Sequence, residues 1–500
     1  MNFISILYGL FLLSVIGIYW SVGNERLRLL ILLLASVVFY ISYQPQYLPL
    51  LLVLVYLNYR LGLEIGQNTS PGEHNQNAGI SNEDWEYAQA DWNRRRLTLV
   101  CIGIVLNIFL LFGFKYLIPF LKFALPEATI KGLRLDTFKL LAPLGISYFV
   151  FECIAYLVDV YRGAPATNNL IKFATYKLLL FKVTSGPITR FHQLANQFKA
   201  ALPSANVISD ALWYIAKGAV KKGLFADNIG VFVDICFGNL QRAGSTDIWL
   251  ATFAYGLQLY LDFSGYVDIA RGSAMLFGLV LPENFDSPYF STSIADFWRR
   301  WHMTLGDWLR NYLYFPLGGS RVGLERTCVN LVIVMVVCGV WHGAALGFIV
   351  WGFWHGLALV VHRLVDKVSD RMEFLEYFWQ SPIGVIVAWL VTQLMVFTSW
   401  IWFRLPDLRD SMEATSKLWG HTADAQFSQL VYVEALKISQ SQVALLLGAV
   451  FLGMAISYLF KRHLKLEFNW HLKVLFVPLC FYLVWILAPQ GSLPFIYFEY

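Results

Sequence analysis

The chain has 500 residues, of which 57% are hydrophobic and 17% aromatic. Only 14% are charged, against roughly 25% in soluble domains, which excludes an ordinary water-soluble enzyme. A formal net charge of +5 comes with no RNA- or DNA-binding motif, so nucleic acid is not an expected partner.

Apolar runs long enough to cross a hydrocarbon core of about 30 Å recur from end to end. In chain order they cover 3–22, 27–44, 46–64, 97–118, 140–161, 208–224, 246–270, 328–361 as a broken pair, 383–404, 441–460 and 474–488. The expected fold is all-α: a single polytopic transmembrane domain over residues 1–500, of about 11–13 transmembrane or re-entrant helices. Phe3 to Trp20 has no Lys or Arg ahead of it and no small-residue cleavage site after it, so it reads as a retained span. The polar insert at 66–92, from Gly66 to Trp92, has no hydrophobic periodicity and reads as a flexible cytoplasmic loop.

Basic residues stay in the cytoplasm, so Arg26 and Arg28, Arg94 to Arg96, His362 to Lys367, and Lys461 to Lys473 should share that side. Counting spans between them places both termini outside. The stretch 115–139 conflicts: it carries Lys115, Lys122, Lys131, Arg134 and Lys139 on the outer side, and reads as an amphipathic interfacial segment. Between 160 and 320 the apolar runs are interrupted at Gly186-Pro187, Gly218, Gly265, Gly272, Pro282, Pro288 and Pro316. Interrupted helices at membrane depth need protein or water around them, which suggests re-entrant segments surrounding an interior cavity. The six cysteines are scattered without the paired spacing of a zinc site or a disulfide framework and read as core residues.

Two segments could carry chemistry. Phe297 to Arg310 combines aromatic bulk, three arginines and His302; as one helix it would align Trp298, Trp301 and Trp308 on a face, with Trp298 and His302 one turn apart. An interfacial helix with an aromatic belt explains the same residues, and both readings stand. The second segment places His342 in a run with no charge but histidines from Cys328 to His355. An ionisable residue there is costly and by default functional. His342 lies sixteen residues beyond Arg326, about 24 Å of helix, and a later start or a tilt would bring it near mid-membrane. Gly339 and Gly343 flank it and would let a substrate approach the imidazole. A neutral imidazole is suited to taking a proton from a hydroxyl near pH 7. His355, thirteen residues further on, is rotated by about 220° on a continuous helix and should face elsewhere.

Asp262 and Asp268 are two carboxylates in an apolar stretch, suited to ion pairing with Arg271 or with Arg299 and Arg300, or to orienting a histidine. Glu152 and Asp159 get the same reading. Cys338, one turn before His342, is a core residue before it is a nucleophile. No histidine forms a metal set with its neighbours.

In order along the chain, Pro143-Leu144-Gly145-Ile146-Ser147-Tyr148, Asp159-Val160-Tyr161-Arg162-Gly163, Ser185-Gly186-Pro187-Ile188, Asp262-Phe263-Ser264-Gly265-Tyr266, Phe297-Trp298-Arg299-Arg300-Trp301-His302 and Val340-Trp341-His342-Gly343 resemble the membrane-bound O-acyltransferases. Within them the chain looks most like the bacterial branch that acetylates alginate, with teichoic acid D-alanyltransferases next. The resemblance implies a ring of helices around a thin, funnel-like core in a bacterial inner membrane. It implies His342 as catalytic histidine with His302 as the second polar residue of the centre, and Trp298, Trp301, Arg299, Arg300, Asp262, Asp268 and Ser264 as candidate substrate contacts. It implies no bound cofactor. The donor would be acyl-coenzyme A or an acyl-phosphopantetheine carrier from the cytoplasm, with its phosphates held by Arg299, Arg300, Arg310 and Arg321. The product would be O-acetylation of an exported polysaccharide, with an extracytoplasmic acetyltransferase as partner. D-alanyl transfer to teichoic acid is the alternative, and a transporter the non-enzymatic one.

Overall fold

The computed structural model describes residues 3–66, 82–126, 129–130, 142–199, 201–465, 468–489 and 495–496. Among these the chain is helical, with no strand. Among the described residues seven helices are long and apolar enough to cross a membrane, so the chain is the polytopic all-α membrane protein its composition demands. Most of the polar insert from Gly66 to Trp92, and residues 131–139 of the segment whose side was in conflict, lie outside the described residues. The chain divides into two compact units: Met1–Pro203 with Ala274–Leu281, and Ser204–Ser273 with Pro282–Tyr500.

The main helices of the first unit are α1 (Ile6–Ser21), α2 (Glu25–Ile41), α3 (Leu48–Gly66), α4 (Asn82–Lys115), α5 (Ile146–Tyr161) and α6 (Leu170–Leu178). Short polar side chains start them: Ser5 caps α1, Asn24 caps α2 and Asn169 caps α6, each accepting from backbone N–H groups of the first turn. α5 is buried along most of its length and carries Glu152 inward. That carboxylate takes Lys182 Nζ at 2.6 Å on both oxygens, Lys177 Nζ at 3.1 Å and the Thr189 backbone N–H at 3.0 Å. Glu152 thus has the structural ion-pair role expected of it. Gly145 adopts φ 74, and a Cβ there would collide with the Val183 carbonyl, so the Pro143–Tyr148 motif meets the backbone just ahead of the Ser185–Ile188 motif.

In the second unit, α7 (Ala205–Ala219) runs through a wide π turn (Val220–Ala226) into α8 (Asp227–Gly238). Then follow α9 (Ser245–Met275), α10 (Ile294–Arg300), α11 (Met303–Leu309), α12 (Leu324–His342), α13 (Leu346–Ser369), α14 (Pro382–Arg404), α15 (Gln440–Leu459) and α16 (Trp470–Leu487). No residue of α16 is buried although it is strongly apolar, as a surface facing hydrocarbon requires.

The expectation that Gly265 and Gly272 interrupt a span is corrected, because α9 runs unbroken through both. Their missing side chains let α7 and α9 touch: a Cβ on Gly265 would lie 2.9 Å from the Gly218 carbonyl oxygen, and one on Gly272 2.5 Å from that of Ala211. Lysines on the α7 side of this contact neutralise the aspartates of α9. Lys222 Nζ lies 2.6 Å from Asp262 and 2.7 Å from Asp227, while Lys221 and Lys217 lie 2.7 and 3.4 Å from Asp268. The salt bridges are therefore not those expected from Arg271, Arg299 or Arg300. Arg271 pairs with Glu283 at 3.2 Å and Arg300 with Asp296 at 2.9 Å.

Candidate active site

The single helix expected over 297–310 is also corrected. α10 ends at Arg300, Trp301 is extended, and His302 takes the left-handed conformation at φ 43 before α11 begins at Met303. The three tryptophans consequently diverge. Trp298 meets Trp351 and His355, with ring centroids 5.8 and 5.3 Å away; Trp301 is buried against Trp400 at 5.0 Å and Phe285 at 5.2 Å; Trp308 packs on Tyr312.

The kink turns His302 fully inward. A left-handed residue with a side chain costs about 1–2 kcal/mol, and Asn284 supplies the interactions that hold it. The Asn284 carbonyl accepts the Met303 N–H at 3.0 Å. Its side-chain Oδ1 accepts from the Thr304 N–H at 3.1 Å and the Thr304 hydroxyl at 2.9 Å, and lies 3.2 Å from His302 Nδ1. Because a backbone N–H donates to this atom it is the amide oxygen, which can only accept. His302 Nδ1 must then carry the hydrogen, and Nε2 is the nitrogen with the lone pair. Phe263 of α9 packs edge-on against the imidazole at 4.9 Å.

His342 is the last residue of α12. The helix starts at Leu324, ahead of Arg326, and its nineteen residues span about 28 Å. His342 therefore sits at the tip of the α12–α13 hairpin and not half-way along a span. Gly347 in the same tip donates its N–H to the Pro406 carbonyl at 2.9 Å, just beyond the end of α14. The His342 ring is 4% exposed and enclosed by aromatic rings: Trp341 at 4.8 Å, Phe403 at 4.9 Å and Trp351 at 5.3 Å. Trp341 also faces His302, at 6.1 Å, so one indole contacts both imidazoles.

The flanking glycines do not open a path to the imidazole as expected. A Cβ on Gly339 would collide with the Phe348 carbonyl oxygen, and one on Gly343 would lie 2.6 Å from the Phe348 ring. They serve the close packing of α12 on α13.

No continuous helix joins His355 to His342, because α12 ends before Gly343 and α13 begins at Leu346. His355 is fully buried, with its ring 4.8 Å from that of Trp351, which His342 also meets at 5.3 Å. Trp298 Nε1 donates to His355 Nδ1 at 3.3 Å, so Nε2 carries the hydrogen and donates to Ser399 Oγ at 2.9 Å, and that hydroxyl donates to the Val396 carbonyl at 2.6 Å. Both nitrogens are thus committed to protein partners.

The other candidates divide. Ser264 is buried, with its hydroxyl lacking a partner among the described residues. Asp262 and Asp268 are held by lysines, and Arg299 is largely exposed beside Asp296. Cys338 is fully buried, as a core residue would be. Sequence reasoning missed Asn284, Trp351, Phe403 and Ser399 as parts of this centre. Nothing in the spacing of Asn284 announced a partner eighteen residues away.

Buried imidazoles on kinked or terminated helices, lined by aromatic rings, lie in the interior of a multi-pass membrane protein. The sequence pattern of the membrane-bound O-acyltransferase family matches residues 100–399, which include His302 and His342, and this chain belongs to that family. It is 34% identical over 446 residues to a probable alginate O-acetylase of Pseudomonas syringae pv. tomato, covering 88% of this chain and 78% of that one. A peptidoglycan O-acetyltransferase of Helicobacter pylori is 34% identical over 419 residues, covering 78% and 73%. The teichoic acid D-alanyltransferase of Streptococcus thermophilus is more distant, at 29% over 270 residues and 51% and 64% coverage. The chain is an O-acyltransferase, and the transporter alternative falls.

Proposed function

We propose that the protein passes an acetyl group from a cytoplasmic thioester, coenzyme A or a phosphopantetheine carrier, across a bacterial inner membrane for O-acetylation of an exported polysaccharide. The observation that carries the site assignment is the shared Trp341 ring, which brings the buried His302 and His342 into one aromatic enclosure. Support for acetyl over D-alanyl transfer comes from the relatives, since those named as O-acetylating enzymes are more similar over more of the chain.

In this reading His342 takes the proton of an acceptor hydroxyl as its oxygen attacks the thioester carbonyl. The carbon–oxygen bond forms, the carbon–sulfur bond breaks, and the proton held by His342 passes to the departing sulfur. His302, whose Nε2 bears a lone pair in the tautomer set by Asn284, accepts a hydrogen bond from a hydroxyl of the acyl-accepting molecule and orients it. It would donate to the developing oxyanion only after being protonated. Arg299, Arg310 and Arg321 are the candidates for donor phosphates, and an extracytoplasmic acetyltransferase is the candidate partner.

The test is mass analysis of cell-surface polymers from cells with the gene, without it, and with His342→Ala at equal membrane abundance. Acetyl esters should disappear without the gene and fall by about 10²–10⁴-fold in the variant, the usual worth of general-base help. Alanyl esters lost instead would favour the D-alanyl reading, and wild-type ester content in the variant would overturn the role of His342.

A further inference from the structure

We propose that the second unit carries, on its outer face, a docking site for a hydroxyl-rich saccharide chain, the acceptor side of the reaction. This rests on the acyl-transfer reading above and adds a place where the acceptor binds.

The site is a concavity of about 810 Å³ where the residues leading into α9 meet the segment 421–423 and the start of α15. Its floor is rigid. Asp247 is 1% exposed, and its carboxylate accepts from the Gly244 N–H at 3.0 Å, the Tyr432 hydroxyl at 2.6 Å and Gln440 Nε2 at 2.7 Å. Its rim is polar and uncommitted. Thr246, Thr422, Ser428 and Lys437 are exposed and line the concavity, and among the described residues none uses its side chain in a hydrogen bond or ion pair. Rim hydroxyls and one ammonium above a satisfied carboxylate offer hydrogen bonds to a hydroxylated ligand and one charge to an acidic one.

Beside this rim stands Trp419, 72% exposed, with its ring edge-on to Trp249 at 5.4 Å. Trp249 Nε1 donates to the Leu418 carbonyl at 3.0 Å, which fixes the pair, and His421 Nδ1, 2.8 Å from the Trp419 carbonyl oxygen, joins it to the concavity. An exposed, immobilised indole offers a flat apolar face with a polar edge. The C–H face of a sugar ring stacks on such a surface while its hydroxyls reach the neighbouring polar groups.

Charge fixes the side of the membrane. The segment between α14 and α15 holds most of the site; the far end of α14 follows the C-terminal end of α13, which carries His362, Arg363 and Lys367 with Arg371 just beyond, and the far end of α15 is followed by Lys461, Arg462 and Lys465. Those ends are cytoplasmic, so the concavity faces outward. The Gly347–Pro406 hydrogen bond places the hairpin tip bearing His342 at this same outward end of α14.

Calorimetric titration of the full-length protein in lipid nanodiscs tests the site, with hexamannuronate as an acidic probe and cellohexaose as a neutral one. The wild type should bind hexamannuronate, Trp419→Ala should weaken it about tenfold, corresponding to roughly 1.4 kcal/mol, and Trp419→Phe should restore most of the loss. Lys437→Ala should weaken hexamannuronate and leave any cellohexaose binding unchanged. No binding of either probe, or binding untouched by Trp419→Ala, overturns the proposal. So does saccharide binding that survives both variants while polymer acylation in cells falls, which would mark the concavity as a protein-docking surface. His342→Ala should bind the probes like the wild type. Ester loss in that variant with no saccharide binding by any form would defeat this site alone and leave the acyl-transfer reading standing.

Discussion

His302 Nδ1 lies 3.2 Å from Asn284 Oδ1, an oxygen that also receives the Thr304 backbone N–H. One amide therefore sets the ring orientation, the tautomer and the left-handed backbone of the same histidine. Asn284→Leu keeps the approximate volume and removes the acceptor. Losing a buried hydrogen bond costs about 1–3 kcal/mol, so transfer should fall roughly 10- to 100-fold, in kcat more than in KM. Thr304→Val removes only one of the three donors and should cost less. Equal activities of Asn284→Leu and the wild type would show that the tautomer is immaterial.

His355 links Trp298 to Ser399 with both ring nitrogens, and Trp351 packs against both it and His342. His355→Phe should keep the stacking and lose the two hydrogen bonds, destabilising the enclosure by about 1–3 kcal/mol. A lower Tm with a raised KM is expected, with partial recovery in His355→Gln, which can still accept from Trp298 and donate to Ser399. If His355→Phe instead abolishes kcat at unchanged Tm, His355 is part of the chemistry.

Much of the fold was legible because hydrocarbon length imposes a period on the sequence: Leu48–Gly66, Pro382–Arg404 and Gln440–Leu459 fall within a few residues of the apolar runs that forecast them. The histidines were legible because burying an imidazole among apolar residues is costly without a function or a partner. Glycines misled at Gly265, Gly272 and Gly339, since absence of a side chain permits a break or a close approach equally well and these are close approaches, whereas α12 does end at Gly343. The partners of His302 and of Asp262 were illegible because they depend on which helices meet, as Asn284 and Lys222 do, and neither spacing nor charge along one chain encodes that.

The hairpin of α12 and α13 separates two kinds of steric limit. A methyl on Gly339 meets the Phe348 backbone oxygen, whereas one on Gly343 meets the Phe348 ring. Gly343→Ala should lose activity and regain it in combination with Phe348→Leu, since a side chain can be shortened. Gly339→Ala should destabilise the protein by about 1–3 kcal/mol, the usual cost of overpacking, and Phe348→Leu should not help. Fluorescence-detected size exclusion and Tm distinguish the four variants, and rescue of Gly339→Ala by Phe348→Leu would contradict the packing described.

Lys222 stands between Asp262 and Asp227, at 2.6 and 2.7 Å, with all three buried. Asp262 receives a further bond from the Ile496 N–H at 3.0 Å. Removing one member of a buried ion cluster leaves an uncompensated charge and costs about 3–5 kcal/mol, while replacing the whole cluster by neutral groups is often nearly neutral. Lys222→Met should therefore yield little monodisperse protein. The triple variant Lys222→Met, Asp227→Asn, Asp262→Asn should recover it together with a substantial part of the acyl transfer, because the cluster's work is to hold α7, α8 and α9 together. A recovered fold with no activity would instead assign Asp262 to substrate, the contact that its motif implies.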